Sequence, residues 1–308
     1  MVDRLIAEQT TTWEMARRNY EALREVRVRE LRFPVEGGEM HFRLQYNPAR
    51  IRSSAAKVDA TSLQERPCFL CHRPSEQQAL PFGGHYEILL NPFPIFPRHL
   101  TIVEREHLPQ RIASRMRDML ALARLLPDYT VFYNGPLCGA SAPDHAHFQA
   151  GNRGFMPVEA EWRHRVGSVC AREGKAVLLA LNDVPRHALV LTSPSAEEAE
   201  RLFARLYAAL QCVEGVDGGV QVEPMLNILC YYEAGEWVLI LFPRKRHRPS
   251  CYAVEEGRGI LCSPASVDLG GVLVLPREED FLKLTVEDVK GILEEVCLNW
   301  ENEHLTDI

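Results

Sequence analysis

The sequence predicts an α+β chain of two similarly built halves, each an antiparallel sheet with packed helices curled into a half-barrel. The order strand pair, amphipathic helix, strand runs up to residue 133, and the same order returns after about residue 165. A run of alternating polar residues, His145-Ala-His-Phe-Gln149, marks a further strand of the first half, and the second half lacks the His-x-His pair. The expected units are therefore residues 1–165, carrying the chemistry, and residues 166–308, a degenerate copy.

Element by element, the first thirty residues read as helix, with Ala16, Tyr20, Leu23 and Val26 at helical spacing and Pro34 as the stop. Strands are expected at 40–44, 86–90, 100–103 and 129–133, with an amphipathic helix from Ser114 to Leu126 before the last. In the second half, 176–181 and 188–192 read as a strand pair. Ser195, followed three residues later by Glu198, opens a helix to Leu210. The apolar runs 225–232 and 237–242 close the repeat around the turn Glu233-Ala-Gly-Glu236.

Composition narrows the function classes. The chain has 308 residues, 46% of them hydrophobic and 25% charged, with a net charge of −7. That balance argues against nonspecific nucleic-acid binding, whose usual footprint is a basic face. Neither a membrane span nor a signal-peptide core stands out, so the expectation is a cytoplasmic protein with no membrane partner. Nine cysteines without framework spacing fit reduced thiols.

The stretch from Asn134 to Gln149 carries most of the chemistry. In a strand, His145, His147 and Gln149 would share one face, a costly arrangement unless the polar groups have a use. Gly139-Ala-Ser141 ahead of them allows close approach of backbone N–H groups to a phosphate. The bland alternative is a pair of strand histidines satisfied by their neighbours.

This pattern resembles the His-x-His-x-Gln signature of the transferase branch of the histidine-triad superfamily. That branch includes hexose-1-phosphate uridylyltransferases, dinucleoside polyphosphate phosphorylases and GDP-hexose phosphorylases. The resemblance implies two histidine-triad-like half-barrels and an enzyme that transfers a nucleoside monophosphate. His147 would be the nucleophile, and Gln149 would hold the phosphoryl oxygens and disfavour hydrolysis. The segment from Glu87 to Val103 is similar to the family's hairpin and places Asn91 at the ribose. Leu108-Pro-Gln-Arg-Ile112 and Met156-Pro-Val-Glu159 resemble the GDP-hexose phosphorylases. Asn134, Gly139 and Ser141 would face the phosphate, although the gap from Ser141 to His145 is one residue longer than the family's spacing.

Cys68-Phe-Leu-Cys71 offers two thiolates to one cation, and no second such pair exists to complete four ligands. Buried cysteines or a redox motif are the alternatives, but the proline flanks suit a loop knuckle. Resemblance to the uridylyltransferases implies a structural zinc held by Cys68, Cys71, His107 and His145, with His99 and His72 as rivals for the third position. Arg244-Lys-Arg-His-Arg248 is the densest basic cluster, either a solvated strand end or a phosphate-recognition site led by Arg244. His164 and His187 read as structural.

The resemblance implies phosphorolysis of a nucleoside diphosphate hexose, with inorganic phosphate as the second substrate. The alternatives are a nucleotidylyltransferase using a sugar phosphate, a dinucleoside polyphosphate phosphorylase, or a nucleotide-binding protein without turnover.

Overall fold

The computed structural model describes residues 1–36, 38–51, 55, 66–213, 223–255 and 257–300. Two helices, α1 (Val2–Thr12) and α2 (Glu14–Ala22), meet at Trp13, whose extended backbone interrupts the helical path. Trp13 is buried there with Ala16 against Leu90.

The helical reading fails beyond Glu25. Arg27–Val35 is strand β1, paired along its whole length with β2 (Gly38–Tyr46). Residues 29, 31, 33 and 35 are the less exposed and 30, 32 and 34 the more exposed, the two-residue period of a strand. Pro34 is tolerated because β1 is an edge strand, where a missing N–H breaks no ladder on its open side. On the other side of β2, β13 (Val272–Leu275) pairs in parallel and ties the far end of the chain to its beginning.

Among the described residues, ten strands form the main sheet. The first half supplies β3 (Ala79–Phe82), β4 (Tyr86–Leu90), β5 (His99–Glu104), β6 (Tyr129–Asn134) and β7 (His147–Asn152), with helix α3 (Met116–Leu125) between β5 and β6. The second supplies β8 (Val166–Glu173), β9 (Ala176–Leu181), β10 (Leu189–Ser193), β11 (Leu226–Glu233) and β12 (Glu236–Pro243), with α4 (Ala196–Gln211) between β10 and β11. Their spatial order is β3-β4-β5-β7-β6-β11-β12-β10-β9-β8. Read inward from either edge the two halves have the same order, so the repeat suggested by element order is a repeat of topology.

The halves are fused through their sheets. β6 pairs with β11 in antiparallel register, Asn134 opposite Asn227 and Val131 opposite Cys230. Both faces of the joined sheet are covered. Val131, Ile228 and Leu239 pack with Met119 and Leu122 of α3 and Leu202 and Phe203 of α4. The alternate residues Phe132, Leu229 and Ile240 pack instead with Phe33, Phe42 and Leu273 of the small sheet and with Ile292 of the helix α5 (Val286–Val296). Central strands buried on both faces read as continuous apolar runs, which is why 225–232 and 237–242 were legible as strands. Ser195 caps α4 by accepting the Glu198 N–H at 3.4 Å, while the Glu198 carboxylate accepts from the Lys175 N–H rather than from the cap.

Candidate active site and metal centre

Strand β7 begins at His147, two residues later than the alternation suggested, and His145 lies in the turn before it. The three polar side chains therefore divide between two sites. His147 and Gln149 line a cleft, and His145 turns toward the cysteine pair. Gln110 holds the start of β7 in place: its Oε1 accepts the His147 N–H at 2.8 Å, and its Nε2 donates to the carbonyls of His147 at 2.9 Å and Asn134 at 3.0 Å. Pairing of β6 with β7 stops at Phe132 and Gln149, so this buried amide substitutes for the ladder beyond it.

The tautomer of His147 follows from its surroundings. Nδ1 lies 2.8 Å from the His145 carbonyl, which only accepts, so Nδ1 carries the proton. Nε2 then keeps its lone pair, and burial pushes the imidazolium form down to about 4. Gln149 is oriented in the same way. The Ile95 N–H donates to His99 Nδ1 at 3.2 Å, leaving the proton on Nε2, which donates to Gln149 Oε1 at 3.0 Å. With its oxygen occupied, the Gln149 amide directs its NH₂ group away from His99. Burial keeps His99 neutral by pushing it down to about 3.

Cys68, Cys71, His107 and His145 place one ligand atom each within 4.8 Å of one another. The Sγ to Nδ1 separations are 3.3 Å for Cys68 and His145, 3.3 Å for Cys71 and His145, and 3.2 Å for Cys71 and His107. A tetrahedral site with bonds of about 2.3 Å to sulfur and about 2.05 Å to nitrogen has such edges near 3.6 Å, so a small contact expansion would fit zinc. His145 Nε2 donates to the Glu104 carbonyl at 2.7 Å, which frees Nδ1 as a ligand. The rivals do not converge. His99 is committed to Gln149, and His72 Nδ1 donates to the Cys68 carbonyl at 3.1 Å.

Two chambers meet above Gln149. The outer one, about 510 Å³, is walled by Trp13, Phe69, Leu70, Phe93, Asn91 and His147. The inner one, about 70 Å³, is walled by Asn134, Gly139, Ser141, His247, Arg248, Ser263 and Asp268 among others. Arg50, Ser141 and Gln149 line both. Arg50, absent from the sequence reading, donates to the Phe93 carbonyl at 2.8 Å, and burial lowers it to about 10 against the opposing pull of Asp268. No motif surrounds it, and its partners lie far along the chain.

Asn91 stands in the outer chamber at the end of β4. Its Oδ1 accepts the Phe93 N–H at 2.9 Å, and its Nδ2 donates to Thr101 at 3.0 Å and approaches Gln149 Oε1 at 3.5 Å. Arg244 requires correction as a phosphate ligand. It is fully buried, and its five N–H groups donate to the carbonyls of Val296, Pro264, Arg246 and His247 and to Asn227 Oδ1. Asn227 in turn donates to Asn134 Oδ1 at 3.0 Å. Of the basic cluster, His247 and Arg248 reach the cleft, and Arg244 anchors the backbone that carries them.

Residues 5–152 match a domain of unknown function, DUF4922, and residues 160–304 match a GDPGP1-like C-terminal domain. Galactose-1-phosphate uridylyltransferase of Lactococcus lactis subsp. lactis is 30% identical over 87 residues, covering 27% of this chain and 18% of that protein. The crystal structure of yeast Ap4A phosphorylase Apa2 superposes with a TM-score of 0.61 at 18% identity, covering 92% of this chain and 96% of that one. Residues 160–304 thus fall with GDPGP1-like C-terminal domains, and the fold is shared with the yeast phosphorylase. Protein APA1 of Saccharomyces cerevisiae is 38% identical over 82 residues, 22% of this chain and 25% of that protein. The chain thus spans a quarter or less of the length of these curated relatives in the matched segments. Against the histidine-triad pattern, the residues missed from sequence are Arg50, Gln110 and the orienting role of His99. No helix among the described residues is long and apolar enough to cross a membrane.

Proposed function

We propose that this protein is a histidine-triad transferase that moves a nucleoside monophosphate through a covalent nucleotidyl-His147, and that its reaction is phosphorolysis of a nucleoside diphosphate hexose. The carrying observation is the pairing of a neutral imidazole, Nδ1–H on the His145 carbonyl and Nε2 bare, with an amide whose NH₂ group is directed by His99. Nε2 attacks the α-phosphorus as the bond to the leaving phosphate oxygen breaks, and the electron pair stays on that oxygen. Phosphate then attacks the same phosphorus, the N–P bond breaks, and its pair returns to Nε2. The His145 carbonyl stabilises the cationic ring in between. Gln149 donates to the phosphoryl oxygens, Asn91 meets the ribose, and the Gly139 to Ser141 loop faces the phosphates.

The resemblance of Leu108–Ile112 and Met156–Glu159 to the GDP-hexose phosphorylases favours a sugar nucleotide, as does an inner chamber lined mainly by polar groups. Phosphorolysis of a dinucleoside polyphosphate is the second reading, favoured by the likeness to a yeast phosphorylase solved with Ap4A at a TM-score of 0.59. Zinc at the Cys/His cluster is structural on this proposal: four protein ligands leave no position for a reacting water. A reducing, cytoplasmic setting is part of the proposal, in keeping with nine cysteines spaced without the pattern of a disulfide framework.

The deciding experiment incubates the protein with nucleoside diphosphate hexoses and dinucleoside tetraphosphates labelled in the α-phosphate, with and without inorganic phosphate. Acid-labile label should collect on His147 and be discharged by phosphate. Normal turnover by His147→Ala, or label on another residue, would sink the proposal.

A further inference from the structure

Gln110 walls neither chamber, yet it bonds one residue of each. Asn134 stands in the inner wall and His147 in the outer, and Gln110 Nε2 donates to both of their carbonyls, at 3.0 and 2.9 Å. Its Oε1 accepts the His147 N–H at 2.8 Å. A side chain only 1% exposed thus holds both backbone groups of His147. The segment that carries it is itself tied down. The Gln110 N–H donates to the Pro143 carbonyl at 3.1 Å and the Ala146 N–H to the Leu108 carbonyl at 2.6 Å, so residues 108–110 run alongside the turn before β7. From the second half, Glu223 accepts the Ile112 N–H at 2.7 Å and bonds the Tyr133 hydroxyl, one residue before Asn134.

We propose that Gln110 is a positioning residue for the nucleophile: by clamping the peptide groups of His147 it keeps the ring's Nδ1–H on the His145 carbonyl and the bare Nε2 aimed into the cleft. The inference rests on the role proposed for His147 and adds a residue to it. A ring nitrogen that bonds the carbonyl two residues back keeps that bond only over a narrow range of backbone and χ1 angles, and here the sheet supplies half of the support. β5 reaches His147, opposite Val103, but β6 pairs with β7 only as far as Gln149. The Gln110 amide stands in for the missing rungs. Were the peptide to shift, Nδ1 would leave its carbonyl, the proton could move to Nε2, and the lone pair that attacks would be blocked. The bond to the Asn134 carbonyl sets the start of the Gly139 to Ser141 loop in the same frame, so nucleophile and loop keep their spacing. Through Ile112 and Glu223 the second half, without a His-x-His pair of its own, braces this clamp.

The test compares wild type with Gln110→Glu and Gln110→Leu. A protonated carboxyl can accept the His147 N–H and donate to one carbonyl, whereas a carboxylate can only accept and would face two carbonyls. In Gln110→Glu, kcat of phosphorolysis should therefore approach wild type near about pH 5 and fall about a hundredfold by about pH 8, the cost of a misplaced reacting group, with nucleotide KM held within about threefold. Gln110→Leu should show the same loss at every pH, and where it fails to fold the Gln110→Glu profile decides. Glu223, Asp144, His145 and His107 around the segment are common to all these proteins, so division by the wild-type profile isolates the introduced carboxyl. Nitrogen NMR of the His147 ring, assigned by its loss in His147→Ala, reads the position without turnover. Wild type should hold the single Nδ1–H tautomer, and Gln110→Glu near about pH 8 a mixture with Nε2–H. An unchanged tautomer in that variant, or a pH profile parallel to wild type, would overturn the role. A mixed tautomer in the variant of a protein that takes no label onto His147 would keep Gln110 as the clamp on the imidazole and remove the covalent mechanism.

Discussion

His99 Nε2 donates to Gln149 Oε1 across 3.0 Å, and the same imidazole accepts the Ile95 N–H on its other nitrogen. On the proposed mechanism a buried histidine thereby decides which end of an amide meets the substrate, from β5, the strand next to that of His147. His99→Phe fills the same space without the bond. The amide should then turn freely, and kcat should fall roughly tenfold while KM for the nucleotide changes less, as for contacts made in the transition state. Equal losses in both constants would mean that His99 shapes the pocket and does not aim Gln149.

Asn91 differs from a simple ribose contact because its Nδ2 also approaches Gln149 Oε1. Asn91→Ala should raise KM for every nucleotide and lower kcat by a few fold as well, since roughly 1 kcal/mol of orienting contact is lost with it. Steady-state kinetics showing KM alone affected would separate the two roles.

Removal of Cys68 tests the metal. Elemental analysis under reducing, chelator-free conditions should give about one zinc per wild-type chain and little in Cys68→Ser. Thermal unfolding of the variant should occur several degrees lower, because the site joins the knuckle to the turn that carries His145. An equal melting temperature with zinc lost would show that the cluster does not support the fold.

Arg244 satisfies four carbonyls and Asn227 in a fully buried position. Arg244→Met orphans all of them and should cost roughly 3 kcal/mol or more in urea unfolding. Arg244→Lys, with three donors and no fork, should recover only part. A loss under about 0.5 kcal/mol, the level of an ordinary surface change, would contradict the anchor role.

Glu223 is buried, accepts the Ile112 N–H at 2.7 Å and bonds the Tyr133 hydroxyl, yet burial pushes its carboxyl from 4.5 up to about 7. A raised acid keeps its proton in the native state where the unfolded chain has lost it. Its contribution should be complete below about pH 4.5 and lost as pH rises toward 7. The full swing is at most roughly 3 kcal/mol. Glu223→Gln should flatten the difference in stability between pH 4.5 and 7 relative to wild type, and an unchanged slope would remove Glu223 as its source.

The sequence by itself determined the parts whose signal lies among near neighbours. Apolar runs marked the central strands, Ser195 and Glu198 marked a helix start, and the His-x-His-x-Gln alternation with Cys68-x-x-Cys71 singled out the residues on which the proposed function rests. It misjudged Arg27–Val35, because charged residues interleaved with apolar ones at an edge strand satisfy a helical count as readily as a two-residue one, and pairing with β2 decides between them. Only the tertiary structure decided that the halves share one sheet through β6 and β11. It also separated His145 from His147, set His99 behind Gln149, and took Arg244 out of the cleft while bringing Arg50 and Arg248 to it. These are outcomes of convergence between residues tens to hundreds of positions apart. A hydrogen-bond inventory fixes them once the backbone is closed, and no local pattern encodes them beforehand.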